Sequence, residues 1–278
     1  MRITVPSSVA AVGLLVLSFL SPGCGRPTLK SSGGYVLTYR LAQGETADGQ
    51  DLARAMQHRL QAGDFPHASV RHTAGDALVV ELPGANAPQV ERAQKLLQNA
   101  GHLAFRIVAD KQLDQKTAEA ALAGNGLDAE ADAAFAWVKC NAEALQGEDW
   151  MVTRDNPAGG QEILVLVGPD DVTGNELAKA VVARDSAARP CIQGSLRPIG
   201  AQKMSLLTGA NIDRRLGIIL DGELLTWPVI RSPIGQDLQI TGNFTEDEVQ
   251  RIVTILKSGT FPGRLNDEPE SVQEVQPP

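Results

Sequence analysis

The sequence predicts an α+β protein built from two small units with a helical insert between them. Three observations predict it. Across residues 35–108 the hydrophobic period switches between two residues and about 3.6, in the order strand, helix, strand, strand, helix, strand. Across residues 111–150 the chain turns to Ala, Glu, Asp and Gln without β-branched runs. After residue 160 short β-branched runs return, interleaved with Thr-x-x-Glu capping signatures.

The first unit spans 35–110. Tyr35-Val36-Leu37-Thr38-Tyr39-Arg40-Leu41 is β-branched and aromatic, which suits a strand. Over residues 51–61, Leu52, Ala55, Met56, Arg59 and Leu60 recur at helical spacing and give an amphipathic helix. Residues 68–72 and 77–82 flank the turn triplet Ala74-Gly75-Asp76 and form a hairpin that Pro83-Gly84 ends. Pro88 opens a second helix whose Val90, Ala93, Leu96, Leu97 and Ala100 share a face, with Gly101 placed as a left-handed cap. Residues 102–108 supply a fourth strand. This order is the split βαβ, or ferredoxin-like, βαββαβ arrangement, in which both helices cover one face of a four-stranded sheet.

The insert occupies 111–160. Leu122, Phe135, Trp137 and Leu145 stand at loose intervals on Ala-rich faces, which suggests two helices broken by Gly124-Asn125-Gly126; residues 155–160 form a loop. The head unit spans 161–265, beginning with a short strand at 162–167. Thr173 with Glu176, and Thr245 with Glu248, fit capping boxes that each start a helix. Between them the pattern gives a strand at 191–196, a helix at 200–208, and the run Leu216-Gly217-Ile218-Ile219-Leu220. Asp221-Gly222 then joins that run to residues 224–230 as a β-hairpin. The last helix, 246–258, places Val249, Ile252, Val253 and Leu256 on one face and stops at Gly259. Residues 266–278 have little apolar content and read as a disordered tail.

At the N-terminus Arg2 precedes an apolar run at residues 9–20 and then Ser21-Pro22-Gly23-Cys24. That run falls short of the roughly 20 residues a bilayer span requires, so 1–23 reads as a signal peptide. Cys24 follows small residues as in a bacterial lipobox, where the thiol is acylated with palmitate-type chains, and 24–34 becomes the lipidated tether. These features place the chain in the cell envelope, facing the periplasm and held by its lipid. Gly25, in place of aspartate, favours the outer over the inner membrane. No other stretch is long and apolar enough to span a bilayer. Cys140 and Cys191 either form a disulfide in that compartment or stay as unpaired buried thiols.

A net charge of -8 argues against nucleic acid as a partner, because phosphate binding needs a cationic face. His58, His67, His72 and His102 form no ligand pair on one helix face, so neither a metal nor another cofactor is expected. Ser195 lacks a G-x-S-x-G elbow, and Ala158-Gly159-Gly160 lacks the lysine and serine of a phosphate loop. No enzyme is expected.

Gly75-Asp76, Val79-Val80-Glu81-Leu82-Pro83-Gly84 and Leu103-Ala104-Phe105-Arg106 resemble the base of the first periplasmic domain of the SecD family of protein-export subunits. Ile218-Ile219-Leu220-Asp221-Gly222, Pro228-Val229-Ile230-Arg231 and Gln239-Ile240-Thr241-Gly242-Asn243-Phe244-Thr245 resemble its head subdomain. Asp221, Gly222, Pro228, Arg231, Gly242, Asn243 and Phe244 carry that motif. The resemblance runs over residues 35–265 and implies a domain that grips exported polypeptide beside Sec translocon components. The family's transmembrane region has no counterpart here, so proton-driven pumping is not implied.

Holding an unfolded chain takes an apolar groove or an open strand edge. Leu224, Leu225, Trp227 and Ile230 on the head hairpin are the candidates, against the plainer reading that they belong to the core. The resulting expectation is an envelope-anchored, non-catalytic module that binds unfolded or exported polypeptide. The alternative is a structural or assembly module with no client.

Overall fold

The computed structural model describes residues 26–73, 77–109, 114, 151–155, 161–167 and 172–278. The expected signal peptide, Cys24, Cys140 and nearly all of the expected helical insert lie outside the described residues.

A capped helical turn, α1 (Leu29–Ser32), leads into β1 (Gly34–Arg40), so the described part of the stretch expected to be a tether is mostly folded. Next come α2 (Gly49–Ala62), β2 (Ser69–Thr73), β3 (Ala77–Pro83), α3 (Ala87–Leu97) and β4 (Leu103–Val108). The Asp48 carboxylate accepts the Gln50 and Asp51 N–H groups and starts α2; Asn86 and Gln89 form a capping box that starts α3. The helix cap expected at Gly101 falls earlier, at Gln98.

The head contributes β5 (Met151–Asp155), β6 (Gln161–Val167), β7 (Leu177–Arg184), β8 (Pro190–Leu196), α4 (Pro198–Gly209), β9 (Arg215–Leu220), β10 (Glu223–Thr226), β11 (Asp237–Ile240) and α5 (Glu246–Ser258). A last strand, β12 (Ser271–Val275), ends the element order. The fold is mixed α/β with antiparallel sheets, save that β10 meets β5 in parallel. Its strands form a four-stranded sheet in the order β12-β1-β3-β2, a closed barrel β10-β5-β6-β4-β9, and a three-stranded sheet β11-β8-β7.

Four expectations are corrected here. The fourth strand of the first sheet is β12, from the stretch expected to be a disordered tail, pairing antiparallel with β1 from Gly34↔Val275 to Thr38↔Ser271. β4 instead joins the barrel, pairing with β9 from Leu103↔Leu220 to Val108↔Arg215. Side-chain character explains the exchange: β4 is buried at every position and needs cover on both faces, whereas the Ser-Val-Gln-Glu-Val strand suits a solvent-facing edge. The contiguous βαββαβ unit is therefore not assembled as such. Residues 151–155, expected in the helical insert, form β5. The Thr173 capping box forms with Glu176 but starts only a 3-10 turn, Gly174–Glu176. Leu177 is extended, and the Glu176 carbonyl that would continue a helix accepts the Arg197 N–H at 2.7 Å.

One continuous core joins both units. It includes Leu37, Tyr39, Leu52, Met56 and Leu60 from the first, and Ile192, Leu196, Val249, Ile252 and Ile255 from the head. Burial pushes the Tyr39 hydroxyl pKa well up, and its oxygen has no hydrogen-bond partner among the described residues. A satellite cluster of Ala104, Val108, Leu166 and Ile219 fills the opposite face of β4 and β9.

Candidate functional site

The β9–β10 hairpin turns at Asp221 and Gly222, with φ of 54° and 85°. Asp-Gly adopts this left-handed pair most readily in a two-residue turn, as the sequence predicts. Glu223 pairs with Leu220 and Leu224 with Ile219, and then the register slips so that Thr226 opposes Ile218. Leu225 is the extra residue of a bulge. In a regular strand Leu224 and Trp227 would point to opposite faces. The bulge lets both pack on the satellite cluster, while Leu225 packs on the main core.

Leu224, Leu225 and Trp227 are half-buried on this wall. The Arg215 guanidinium lies 4.5 Å from the Trp227 ring centroid and donates to the Trp227 carbonyl at 3.4 Å. Ile230 is different. It is 3% exposed and sits in the main core, so it is corrected from a contact candidate to a core residue. Its N–H donates to the Arg214 carbonyl and its carbonyl accepts the Asp213 N–H, both at 2.8 Å, so this segment is held from both sides.

The remaining motif residues build turns and supports. The Pro228 carbonyl accepts the Leu216 N–H at 2.9 Å, and Arg231 reaches Asp213 at 2.9 Å on the surface. Gly242 lies so close to Phe244 that a Cβ there would fall 2.8 Å from the ring; Phe244 rests half-buried on the main core and Asn243 is exposed between them. Cys191 is buried in β8, where Gln239 Nε2 donates to its Sγ at 3.3 Å, and it has no disulfide partner among the described residues. All four histidines are exposed. Among the described residues no group of three His, Cys, Asp or Glu stands together to hold a metal, and no helix is long and apolar enough to cross a membrane.

Sequence reasoning missed the residue that ties the two units. Arg59 counts there only as one member of the inner face of α2, yet its side chain is wholly buried. Its Nε donates to Ser258 Oγ at 2.8 Å, and its Nη2 donates to the Ala100 and Gly259 carbonyls at 3.0 and 2.5 Å. Its Nη1 donates to the Leu96 carbonyl at 3.4 Å and to that of Asn99. The guanidinium stacks 3.6 Å from the Phe261 ring centroid. One cation thus collects carbonyls from the ends of α3 and α5, where the helix dipoles are negative. Burial pulls its pKa down to about 10, with the Asp221 charge opposing that fall. Gly101 explains its own residue type: a Cβ there would fall 2.8 Å from Arg59 Nη2. The available signal is an arginine on an otherwise apolar helix face.

Hairpin, barrel wall and Arg59 junction define a mixed α/β domain whose half-buried apolar wall is braced on a shared core. Residues 150–263 match the family described as SecDF, P1 head subdomain. The chain is 30% identical over 188 residues to protein translocase subunit SecD of Aquifex aeolicus, covering 68% of this chain and 32% of that protein. It is 31% identical over 221 residues to protein translocase subunit SecDF of Thermus thermophilus, covering 78% of this chain and 27% of that one. The crystal structure of SecDF in super-membrane-facing form superposes with a TM-score of 0.63 at 27% identity, covering 91% of this chain and 32% of that chain. A structure of a membrane component SecDF that enhances protein export gives 0.59 at 28% identity, covering 86% of this chain and 99% of that one. The chain belongs to the SecD family, as a periplasmic domain of it. It spans between about a quarter and a third of the length of these two curated relatives, which are named as protein translocase subunits.

Proposed function

We propose that this chain is a periplasm-facing, membrane-associated, non-catalytic module that holds unfolded or exported polypeptide in support of protein translocation. The observation that carries the reading is the bulged hairpin. A bulge that brings Leu224 and Trp227 to one face, both half-buried on a barrel wall, leaves apolar surface where a passing chain can lodge an apolar side chain. Asp221 and Gly222 form the turn of that hairpin and Pro228 follows it, while Arg231, Gly242, Asn243 and Phe244 complete the head motif elsewhere on the unit. Sec translocon components are the expected neighbours, and an acylated Cys24 is the expected anchor.

The test is fluorescence anisotropy with a labelled, reduced and carboxymethylated client. Wild type should bind it and ignore the folded control, and Trp227→Ala should weaken binding by about tenfold while keeping its circular dichroism spectrum. Equal, negligible binding to folded and unfolded forms would turn the reading toward an assembly module with no client. Palmitate labelling that survives Cys24→Ala would remove the anchor from it.

A further inference from the structure

We propose that the free edge of β7 receives an extended polypeptide segment as an added strand, and that its groove favours acidic side chains. This inference rests on the polypeptide-binding reading and gives it a second surface, built from other residues than the hairpin.

β8 is the middle strand of its sheet, leaving β7 at one edge and the four-residue β11 at the other. β7 has eight residues and no strand beyond it among the described residues. A register shift lies between Leu177 and Lys179; from Lys179↔Ser195 to Arg184↔Pro190 the ladder with β8 is regular. In such a strand alternate N–H and C=O groups point away from the neighbour and want partners. Proteins commonly shorten, bulge or cover such an edge. This one stays long past its bulge and carries Val182 at 44% exposure.

Beside it lies a groove of about 420 Å³, bounded by β7, by the Gly174-Asn175 turn and by the end of α5. Its lining contains Lys179, Arg197 and Lys257 and no acidic side chain, on a chain whose net charge is -8. Arg197 is held in place by donating to the Asn175 carbonyl at 2.7 Å. Neither Lys179 nor Lys257 makes an ion pair among the described residues. Open main-chain groups select an extended backbone, and the cations select carboxylates on it. A second copy of this chain fits poorly. Pairing β7 with itself would bring Lys179 and Arg184 of each copy toward those of the other, and two net-negative chains repel.

The experiment uses the full chain and short labelled peptides that alternate Val with Glu or Val with Lys. At low salt the Glu peptide should bind about tenfold more tightly than the Lys peptide, and the double variant Lys179→Glu/Lys257→Glu should reverse the order. N-methylation at alternate residues should abolish binding, and amide exchange should slow across residues 179–184. Equal affinity for both peptides, binding that survives N-methylation, or protection confined to residues 223–226 would overturn the proposal. So would a peptide-displaceable dimer of the chain, which would give the edge to a second copy. If the carboxymethylated client binds through Trp227 while the Glu peptide does not, this inference falls and the hairpin reading stands. If neither ligand binds, both fall.

Discussion

Asp221 and His102 are tied to each other in both directions across 119 positions: the Asp221 carboxylate accepts the His102 N–H at 2.8 Å, and the Asp221 N–H donates to the His102 carbonyl at 2.9 Å. Both carboxylate oxygens also accept the Gly101 N–H at 2.9 Å. The head hairpin is therefore fastened at its tip to the residues that lead into β4.

Replacing Asp221 should loosen this fastening in a graded way. Asp221→Ala loses charge-assisted bonds to two backbone donors and places a Cβ-bearing residue without local hydrogen bonding at positive φ, a cost of about 2–3 kcal/mol. Asp221→Asn keeps an acceptor and tolerates the left-handed backbone, so about 1 kcal/mol is expected. Urea denaturation of both variants reads the difference; equal midpoints would show that the carboxylate does not hold the turn.

Arg59 should be the most sensitive single side chain for global stability. Arg59→Met keeps much of the volume but strands the carbonyls of Leu96, Asn99, Ala100 and Gly259, so a loss of about 3–5 kcal/mol is expected. Arg59→Lys supplies a charge without the planar fork and should recover part of that. Chemical denaturation with probes in each unit checks the claim. The two units should lose stability together, since the same cation holds the ends of α3 and α5; separate transitions would contradict the shared junction.

β12 should act as a cover strip for β1. Cutting the chain after residue 268 removes the Glu270 N–H bond to the Thr38 carbonyl, the Arg40–Glu270 ion pair at 2.5 Å and the ladder opposite residues 34–38. The expected loss is about 1–3 kcal/mol, because the strand adds edge hydrogen bonds but little apolar burial. Hydrogen exchange should quicken in β1 while α5 stays protected, and sedimentation should show self-association through the bared edge. Unchanged exchange in β1 would mean the strip contributes nothing.

Local signals were legible wherever one residue type determines the backbone. Asp221-Gly222 named its turn, Thr245 with Glu248 named the start of α5, and the apolar faces of α2 and α3 were readable from spacing. Long-range partnership was not. Ser-Val-Gln-Glu-Val carries too little apolar pattern to announce a strand, and it becomes one because β1 presents an edge. The Thr173 box looked identical to the Thr245 box, yet a β-favouring Val181-Val182 run and the competing Arg197 N–H ended its helix after one turn. For the site, the hairpin was legible, but the bulge at Leu225 and the core position of Ile230 depend on pairing across the barrel.

The capping box of α5 yields a pH prediction with a definite sign. Glu248 Oε2 accepts the Thr245 N–H at 2.7 Å and its hydroxyl at 2.9 Å. The Thr245 backbone bond chiefly, then the hydroxyl bond, and less strongly the Arg251 charge hold the Glu248 pKa below the usual range, against a smaller opposing effect of burial. A carboxylate whose folded pKa is depressed contributes stability that is fully present above its unfolded pKa and is lost as pH falls through the folded value. Glu248→Gln keeps an acceptor for the box but cannot titrate. At neutral pH it should cost about 0.5 kcal/mol, a figure already reduced for solvent screening at this mostly exposed helix start. The deficit should shrink to nothing once the medium is acid enough to protonate the wild-type carboxyl. Burial raises the Glu176 pKa, but the hydrogen bonds from Thr173 and Lys203 and the Lys203 charge together bring it down in the same direction, so the Glu248→Gln variant itself stays acid-sensitive. Thermal melts of both proteins from neutral to acid pH separate the contributions. A deficit that stays constant across that range would mean the loss at position 248 comes from shape rather than charge.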